Sequence, residues 1–475
     1  MVTDSGYKSL AGLIPAIFLF PLVGLPIPGR YGSQKAVASY FQSVAFIEEP
    51  LKSFFYNTPA ESLSSIHLYS IISSPVVKMG FTEGGRLVSL MAAVLLVLAL
   101  EILCRELMPN VYYQGIAGTV VWAIPIFVVF SFSFTPDSIT VLLTTLSVLF
   151  AVLYINTGST KYIVAVLVFL PMGVFNHMWE AAIVVPIASI MVLDKKQKSA
   201  LALVVVVAAA IFINWYVSGL QPTDSSAMWS YSIFHERNYE LLLSPKFYIP
   251  FYGFFVDSNI KELQSVARLL MLLSVLSSIY LLANYEQYKR LSLLVSTWTV
   301  SGLSIPFVLP LHFANHYYDA WVFIVPVCLS VSLVISMFVK SYLSSGTLYL
   351  SCIVSIALLV ILTVSPLSAH VLGVSIPGIP NDPIYPEKHS IARANDLKSM
   401  DIESAEGLLF VGEFAYKLSK HSAWVNTFPS HVLIYSGVVV RKRSLLEGNG
   451  YPKLSAARNV ECRLAIYKNK VLTCK

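Results

Sequence analysis

Residues 86–106 read RLVSLMAAVLLVLALEILCRE, and this stretch decides the fold. No side chain between Arg86 and Glu101 is charged, and the run is long enough to cross about 30 Å of hydrocarbon as an α-helix. Similar apolar runs recur along most of the chain. The pattern therefore predicts a series of membrane spans rather than the core of a soluble domain.

The composition of the 475 residues supports this interpretation, because 56% are hydrophobic, only 12% are charged, and the mean hydropathy is +0.70. Soluble globular proteins carry about 25% charged residues. These values exclude a soluble enzyme, a disordered protein and a collagen-like or disulfide-dense scaffold. The charge is also uneven, since residues 367–475 carry +5 of the net +6. We therefore divide the chain into a membrane domain, residues 1–366, and a polar C-terminal domain, residues 367–475.

The apolar runs predict about 11 membrane helices. The first run is interpreted as a membrane helix and not as a cleavable signal peptide, because no small-residue cleavage site and polar segment follow it. The fifth and sixth runs are short, and they form either two spans or one hairpin that meets at Asn176–Glu180. The predicted spans are residues 10–28, 86–106, 111–133, 138–157, 162–175, 180–193, 199–219, 264–284, 292–311, 317–339 and 346–366.

The short loops between the spans predict the orientation. With the N-terminus in the cytoplasm, the inner loops are rich in lysine and arginine, as the positive-inside rule requires. An odd number of spans then places the C-terminal domain outside, and the outer loops 29–85 and 220–263 are long. We expect a multi-pass protein of the plasma membrane. The inner basic residues are Lys161, Lys195, Lys196, Lys198, Lys289, Arg290 and Lys340.

The C-terminal domain is predicted to be a small extracytoplasmic α/β domain. Strands are expected at Leu408–Gly412 and His431–Val440, and a helix at Ser390–Met400. Cys462 and Cys474 flank a predicted hairpin, and their spacing alone leaves a disulfide between them open. The predicted fold class is thus an all-α polytopic membrane bundle with this small domain attached.

Twelve of the 17 acidic residues of the membrane domain, and all five of its histidines, lie at or near the predicted outer side. Such residues at membrane depth are costly and usually functional. A transport path would need polar groups at mid-depth and on both sides. The asymmetry therefore favours a reaction site at the outer leaflet.

Three polar clusters stand out on that side. In the first, Asp137 follows Pro136 at the start of a span. It is either a helix N-cap or helix-dipole partner, or a carboxylate that faces an outer cavity. The second is the polar break Asn176–Glu180, with His177 and Glu180 as its ionisable members.

The third cluster is His312–Trp321. Its two histidines are four residues apart, a spacing that metal ligands on one helical face would have. We favour the alternative that they form hydrogen bonds to phosphate or sugar hydroxyls, with Tyr317, Tyr318 and Trp321 at the membrane boundary. The residues concerned are His312, His316, Tyr317 and Tyr318.

These clusters, together with Ile66–Ser70 and the following Gly85-Arg86-Leu87, occur in an order that resembles a known group. The chain is similar to the GT-C type glycosyltransferases that use polyprenyl-phosphate sugars. That group includes protein O-mannosyltransferases, the aminoarabinose transferase of lipid A and archaeal dolichol-phosphate-mannose transferases. The resemblance covers roughly residues 1–340 and rests on the joint order of the motifs, such as Phe134–Asp137 and His316–Tyr318 followed by Pro326.

The resemblance implies a GT-C-like fold and a transfer reaction at the outer face of the membrane. The donor would be a sugar, with mannose among the candidates, on a polyprenyl or dolichyl phosphate. The acceptor would be a lipid-linked glycan or a glycoprotein. The implied partners are these two substrates and the lipid bilayer, with no nucleic acid.

The resemblance also implies catalytic residues. Asp137 matches the family's aspartate between the third and fourth spans. Family members carry an acidic pair soon after the first span, whereas Gly29–Gln42 contains no acid here. Glu48 and Glu49 are the next acids along the chain and are expected to act as the general base in its place. A solvated amphipathic helix is the alternative explanation for that pair.

The leaving lipid phosphate needs cations or hydrogen-bond donors. Arg86 matches the family arginine, with snorkelling to lipid headgroups as its alternative role. Arg237 or Lys246 is a second candidate. No cofactor is assigned and no metal ligand is named, although Mg²⁺ or Mn²⁺ is compatible with the reaction. The remaining expected substrate contacts are His67, Tyr69, His177, Glu180, His312, His316, Tyr317 and Tyr318.

Two other functions are compatible with the sequence. A flippase or transporter for a polyprenyl lipid would need broken helices in matched halves, and no repeat is visible. A non-enzymatic membrane scaffold would have an outer cavity without catalytic side chains, with Asp137 and His316 far apart.

Overall fold

The computed structural model is mostly helical in the part of the chain that it describes. That part comprises residues 12–20, 43, 46–47, 68–79, 84–112, 114–124, 127–128, 131, 136–219, 243, 261–308 and 321–342, together with the five strands given below. The helices are α1 Ile14–Leu19, α2 Leu68–Lys78, α3 Gly84–Leu107, α4 Ile116–Trp122, α5 Asp137–Thr157, α6 Thr160–Asn176, α7 Val184–Leu193, α8 Gln197–Gly219, α9 Lys261–Ala283, α10 Lys289–Val308 and α11 Ile324–Tyr342. A 3₁₀ helix, Met178–Ile183, joins α6 to α7.

Several of these helices are apolar enough to lie in a bilayer. Four stretches of the described residues have the length and composition of a membrane span, namely Gly84–Leu107, Asp137–Thr157, Gln197–Asn214 and Trp321–Lys340. Large apolar side chains such as Leu201 and Phe212 of α8 are exposed, as expected for helices that face lipid. The protein is therefore a membrane protein, whereas the predicted count of 11 spans and the orientation stay predictions. The last predicted span, residues 346–366, lies outside the described residues.

The bundle is organised around α3 and α5, which pack against each other. Helix α3 also contacts α2 and α4, and α6 packs between α5 and α8. Helix α11 packs on α4, α9 and α10. Side chains such as Leu96, Trp122 and Trp298 are buried in the core. This close packing of apolar helices holds the polar groups at the ends of the bundle in fixed positions.

Helix α5 separates two polar regions. Its 21 residues rise about 30 Å at 1.5 Å per residue, which is the thickness of the hydrocarbon core. We call its two ends the Asp137 end and the Asn156 end. The Asn156 end is the one that the sequence predicts to face the cytoplasm.

The Asn156 end is tied together by a polar network. Arg290 donates to both carboxylate oxygens of Asp194, from Nε at 2.9 Å and from Nη2 at 2.5 Å. The same guanidinium donates to Asn156 Oδ1 at 2.6 Å, and Asn156 Nδ2 donates to Glu106 Oε2 at 2.9 Å. Four helices, α3, α5, α7 and α10, are therefore linked at this end. Because these groups are partly exposed to solvent, each pair contributes no more than about 1 kcal/mol.

Helix α4 begins later than the predicted span 111–133. Gly115, with a positive φ of 92°, precedes its first residue, Ile116. The buried carboxylate of Glu101 accepts hydrogen bonds from the N–H groups of Gly115 and Gly118, both at 2.8 Å, and from the Tyr112 hydroxyl at 2.7 Å. A carboxylate at a helix N-terminus satisfies free N–H groups and interacts favourably with the helix dipole. Glu101 therefore determines where α4 begins.

Replacing Glu101 with glutamine is expected to destabilise the fold without touching the Asp137 end. The amide has one acceptor oxygen where the carboxylate uses two, so its NH₂ group would face backbone donors. We expect a loss of about 1–3 kcal/mol, measured as a lower apparent unfolding temperature in detergent. The partly exposed Glu106→Gln serves as the control and should change stability by less than about 0.5 kcal/mol. Equal unfolding temperatures for the two variants would contradict this assignment.

Short strands lie in the C-terminal region. They are β1 Leu408–Val411, β2 Val432–Tyr435, β3 Val438–Arg441, β4 Ala465–Tyr467 and β5 Val471–Thr473. Strand β2 pairs parallel with β1 and antiparallel with β3, and β4 pairs antiparallel with β5.

The prediction of one strand over His431–Val440 was therefore wrong, because two paired strands lie there. The dipeptide between them is Ser436-Gly437, whose composition is typical of a tight turn. The predicted helix Ser390–Met400 and the cysteines Cys462 and Cys474 lie outside the described residues. The α/β domain and its boundary at residue 367 stay predictions.

Candidate active site at the Asp137 end

Four helix ends meet at the Asp137 end. Helices α2, α3 and α5 begin here, and α6 ends here at Asn176. The 3₁₀ helix that follows α6 also contacts α5. The arrangement brings together sequence clusters that are far apart along the chain.

Tyr69 connects three of these elements. Its backbone N–H donates to Asn176 Oδ1 at 3.2 Å, and its hydroxyl donates to the carbonyl oxygen of Gly85 at 2.5 Å. The Ser89 hydroxyl lies 3.0 Å from the phenol oxygen. Because the single phenol proton is given to a carbonyl, Ser89 is the donor in that second bond. Tyr69 thus joins the start of α2 to the first two turns of α3 and to the end of α6.

Two charges act on the Tyr69 hydroxyl. Burial raises the pKa of Tyr69 well above its ordinary value. The hydrogen bond from Ser89 and the positive charge of Arg86 lower that pKa, whereas the negative charge of Asp137 raises it. The phenol therefore stays protonated at physiological pH, and its bond to Gly85 is independent of pH there. Arg86 and Asp137 are both close enough to the phenol to influence it.

Arg86 lies in the first turn of α3 and is only 2% exposed. A cation at a helix N-terminus is disfavoured by the helix dipole, and burying it in a membrane protein is costly. Such a placement needs anions nearby. The burial also argues against snorkelling to headgroups, which would leave the guanidinium in contact with water or lipid.

Asp137 is the first residue of α5 and is 1% exposed. The N-cap of that helix is Pro136, so the N-cap alternative was wrong, whereas the alternative of a helix-dipole partner fits an acid in the first turn. Its carboxylate still lies where the dipole of α5 stabilises a negative charge. The site therefore holds a buried carboxyl group and a buried guanidinium group, each in the first turn of a helix.

Asn176 links α6 to the start of α5. Its Nδ2 donates to the carbonyl oxygen of Pro136 at 3.2 Å and also to Thr140 Oγ1. Its Oδ1 is the acceptor for Tyr69 described above. Helix α6 ends here because the next residue, His177, has an extended backbone with φ −155° and ψ 111°.

The second and third sequence clusters meet next to this link. The ring centroid of His177 lies 5.3 Å from that of Trp321 in an edge-on arrangement, and 6.5 Å from that of Trp179. Glu180 is 1% exposed, and its backbone N–H donates to the His177 carbonyl at 3.0 Å. The buried indole N–H of Trp321 has no hydrogen-bond partner among the described residues. A second carboxylate and an indole donor thus lie near the same end of the bundle.

Five of the predicted site residues are placed at the Asp137 end, namely Tyr69, Arg86, Asp137, His177 and Glu180. No site contact was predicted for Asn176, Ser89 or Thr140, and Trp321 was predicted only to lie at the membrane boundary. Of these, Asn176 and Trp321 belong to the predicted clusters Asn176–Glu180 and His312–Trp321, so their positions in the sequence could have identified them as candidate site residues. The predicted residues that lie outside the described part of the chain are Glu48, Glu49, His67, Arg237, Lys246, His312, His316, Tyr317 and Tyr318. Among described residues, no group of three His, Cys, Asp or Glu side chains converges to hold a metal ion.

One family model matches part of the chain. Residues 77–217 match the family model described as dolichyl-phosphate-mannose-protein mannosyltransferase. No curated protein sequence matches the chain. The matched segment runs from the end of α2 to the end of α8 and includes Arg86, Asp137, Asn176 and Glu180. The match confirms the resemblance to the GT-C type glycosyltransferases that the sequence predicted, and it supports a membrane glycosyltransferase of the mannosyltransferase kind.

Proposed function

We propose that the protein transfers a sugar, with mannose as the first candidate, from a polyprenyl or dolichyl phosphate to a hydroxyl group. The acceptor is a lipid-linked glycan or a glycoprotein at the outer face of the plasma membrane. One observation carries the proposal. Asp137 and Arg86, both buried and both within the matched segment, lie in the first turns of α5 and α3, and hydrogen bonds of Asn176 and Tyr69 connect those two turns at one end of an apolar bundle.

The proposed reaction needs a base and a group that holds phosphate. The Asp137 carboxylate takes the proton of the acceptor hydroxyl, whose oxygen then attacks the anomeric carbon. The bond from that carbon to the phosphate oxygen breaks, and the lipid phosphate leaves with the electron pair. Arg86 stabilises the added negative charge on the phosphate. Glu48 and Glu49 are the alternative bases that the sequence proposes.

The neighbouring side chains are proposed to hold the sugar. Glu180 and His177 are suited to accept hydrogen bonds from sugar hydroxyls, and the indole N–H of Trp321 is suited to donate one. These hydrogen bonds would orient the transferred sugar so that its anomeric carbon faces the acceptor hydroxyl at Asp137. The predicted contacts outside the described residues are proposed to complete the donor and acceptor sites; they are His67, Arg237, His312, His316, Tyr317 and Tyr318.

The interior of α5 supports chemistry at one end rather than a transport path through the bundle. Between Asp137 and Thr157 its sequence contains no charged residue. Its buried hydroxyls donate back to carbonyls of the same helix, as Thr145 does to Val141 at 2.7 Å and Ser147 to Leu143 at 2.7 Å. Hydroxyls engaged in this way are poorly placed to bind a passing headgroup.

The test is transfer of labelled sugar in membranes that contain the protein. Polyprenyl and dolichyl phosphates carrying different labelled sugars are supplied, and label is counted in glycolipid and glycoprotein fractions. We expect label in one of these fractions, dependent on the protein. A parallel sample with EDTA tests whether a divalent cation takes part. If the folded protein transferred no sugar from any donor but moved the lipid between leaflets, the flippase alternative would replace this proposal.

A further inference from the structure

Asn176 makes the contacts that connect the two charged groups of the site. The Pro136 carbonyl, which accepts from Asn176 Nδ2, belongs to the peptide bond that leads into Asp137. On the other side, Asn176 Oδ1 accepts from Tyr69, and the Tyr69 hydroxyl holds the Gly85 carbonyl in the peptide bond that leads into Arg86. Through the side chains of Asn176 and Tyr69, these hydrogen bonds connect the carbonyl group that precedes Asp137 with the carbonyl group that precedes Arg86.

We propose that Asn176 is a positioning residue that sets the separation between the Asp137 carboxylate and the Arg86 guanidinium. This inference rests on the proposed function, because the separation matters only if the two groups act on one substrate. The base has to reach the acceptor hydroxyl while the cation reaches the phosphate on the other side of the anomeric carbon. A misplacement of about 1 Å in such an arrangement costs about 10²-fold in rate.

An amide satisfies both neighbours of Asn176, whereas an ionised carboxylate does not. The Tyr69 backbone N–H can only donate, and the Pro136 carbonyl can only accept. These two partners therefore fix the orientation of the side-chain amide. A carboxylate of the same shape would keep the bond from Tyr69 but would place an oxygen against the Pro136 carbonyl oxygen. The position thus distinguishes asparagine from aspartate by chemistry rather than by volume.

Thr140 gives the link a second contact on α5. Its Oγ1 accepts from Asn176 Nδ2 and donates to the Pro136 carbonyl at 2.8 Å. The hydroxyl therefore holds both the amide and the peptide carbonyl that precedes Asp137. Serine would keep this hydroxyl, whereas valine has nearly the same shape without it.

The experiment compares Asn176→Asp with the wild type in the sugar-transfer assay, using purified full-length protein and the donor that the wild type accepts. We expect kcat per folded molecule to fall about 10²-fold, while KM for the donor stays within about threefold. The matched control is Asn214→Asp. Asn214 is a buried amide on α8, and it donates at 3.3 Å to the carbonyl of Val174, which lies on α6 as Asn176 does. That control should lower stability but keep kcat within about twofold of the wild type.

A second pair of variants keeps the test decisive if Asn176→Asp does not fold. Thr140→Val should lower kcat by about tenfold with little change in donor KM, and Thr140→Ser should restore kcat to within about twofold of the wild type. A merely structural role would instead change the amount of folded protein and leave kcat per folded molecule unchanged.

If the wild type transfers sugar, two results would overturn the inference about Asn176 while leaving the proposed function intact. One is a normal kcat in folded Asn176→Asp or Thr140→Val. The other is an equal fall in kcat for Asn214→Asp. A folded wild type that transfers no sugar from any donor is a different result, because it removes the proposed function and this inference with it.

Discussion

Replacing Asp137 with asparagine is expected to lower sugar transfer by about 10³-fold, with normal amounts of folded protein. A positioned general base contributes about 10²–10⁴-fold to such reactions, and the amide cannot accept the acceptor's proton at neutral pH. The substitution preserves size, and it removes a favourable interaction with the α5 dipole of about 0.3–1 kcal/mol. The effect should therefore appear in kcat, measured from initial rates with saturating donor.

The control for this variant is Asp194→Asn at the Asn156 end. This variant removes the ion pair between Asp194 and Arg290. The pair is partly exposed and lies at the opposite end of the bundle from Asp137. Transfer by the control should stay within about twofold of the wild type. If Asp137→Asn kept more than about a tenth of wild-type transfer, Asp137 would not be the base. Glu48→Gln and Glu49→Gln would then be the next variants to assay.

Replacing Arg86 with methionine is expected to lower kcat/KM for the donor by about 10²–10³-fold. Methionine fills a similar volume without charge, so the lipid phosphate loses charge-assisted hydrogen bonds of about 1.5–3 kcal/mol each. Arg86→Lys should give an intermediate value, because the ammonium keeps the charge and lacks the planar fork of donors. The measurement is the dependence of the transfer rate on donor concentration for the three proteins.

Arg105 is a matched control on the same helix. It lies in the last turn of α3 at the Asn156 end and is exposed. Arg105→Met should leave donor kinetics unchanged within about twofold. Donor kinetics for folded Arg86→Met that equal those of the control would show that Arg86 does not hold the phosphate.

The membrane bundle, and the presence of the Asp137 and His177 clusters at one end of it, were predictable from the sequence for a simple reason. Runs of apolar residues report burial in lipid directly, and ionisable residues near their ends are costly unless they have a role. The clusters around Asp137 and His177 therefore indicate one end of the bundle by their positions along the chain. The predicted break at Asn176–Glu180 corresponds to the change from α6 to the 3₁₀ helix.

The contacts inside the site were not predictable from the sequence. Asn176 bonds to Tyr69 across 107 residues and to Pro136 across 40, so no local pattern reports either contact. The same holds for Glu101, which fixes the start of α4 from 14 and 17 residues away. Periodicity predicts that a residue lies in a helix, but it does not predict which long-range partner an amide or a carboxylate selects.

The most direct test of the account uses the purified protein in liposomes with a labelled dolichyl- or polyprenyl-phosphate sugar and an acceptor glycolipid or peptide. We predict that the wild type moves label from the donor to the acceptor, and that Asp137→Asn does not. Label that stays on the donor with a folded wild type, or that moves equally fast with Asp137→Asn, would contradict a glycosyltransferase whose base is at the start of α5.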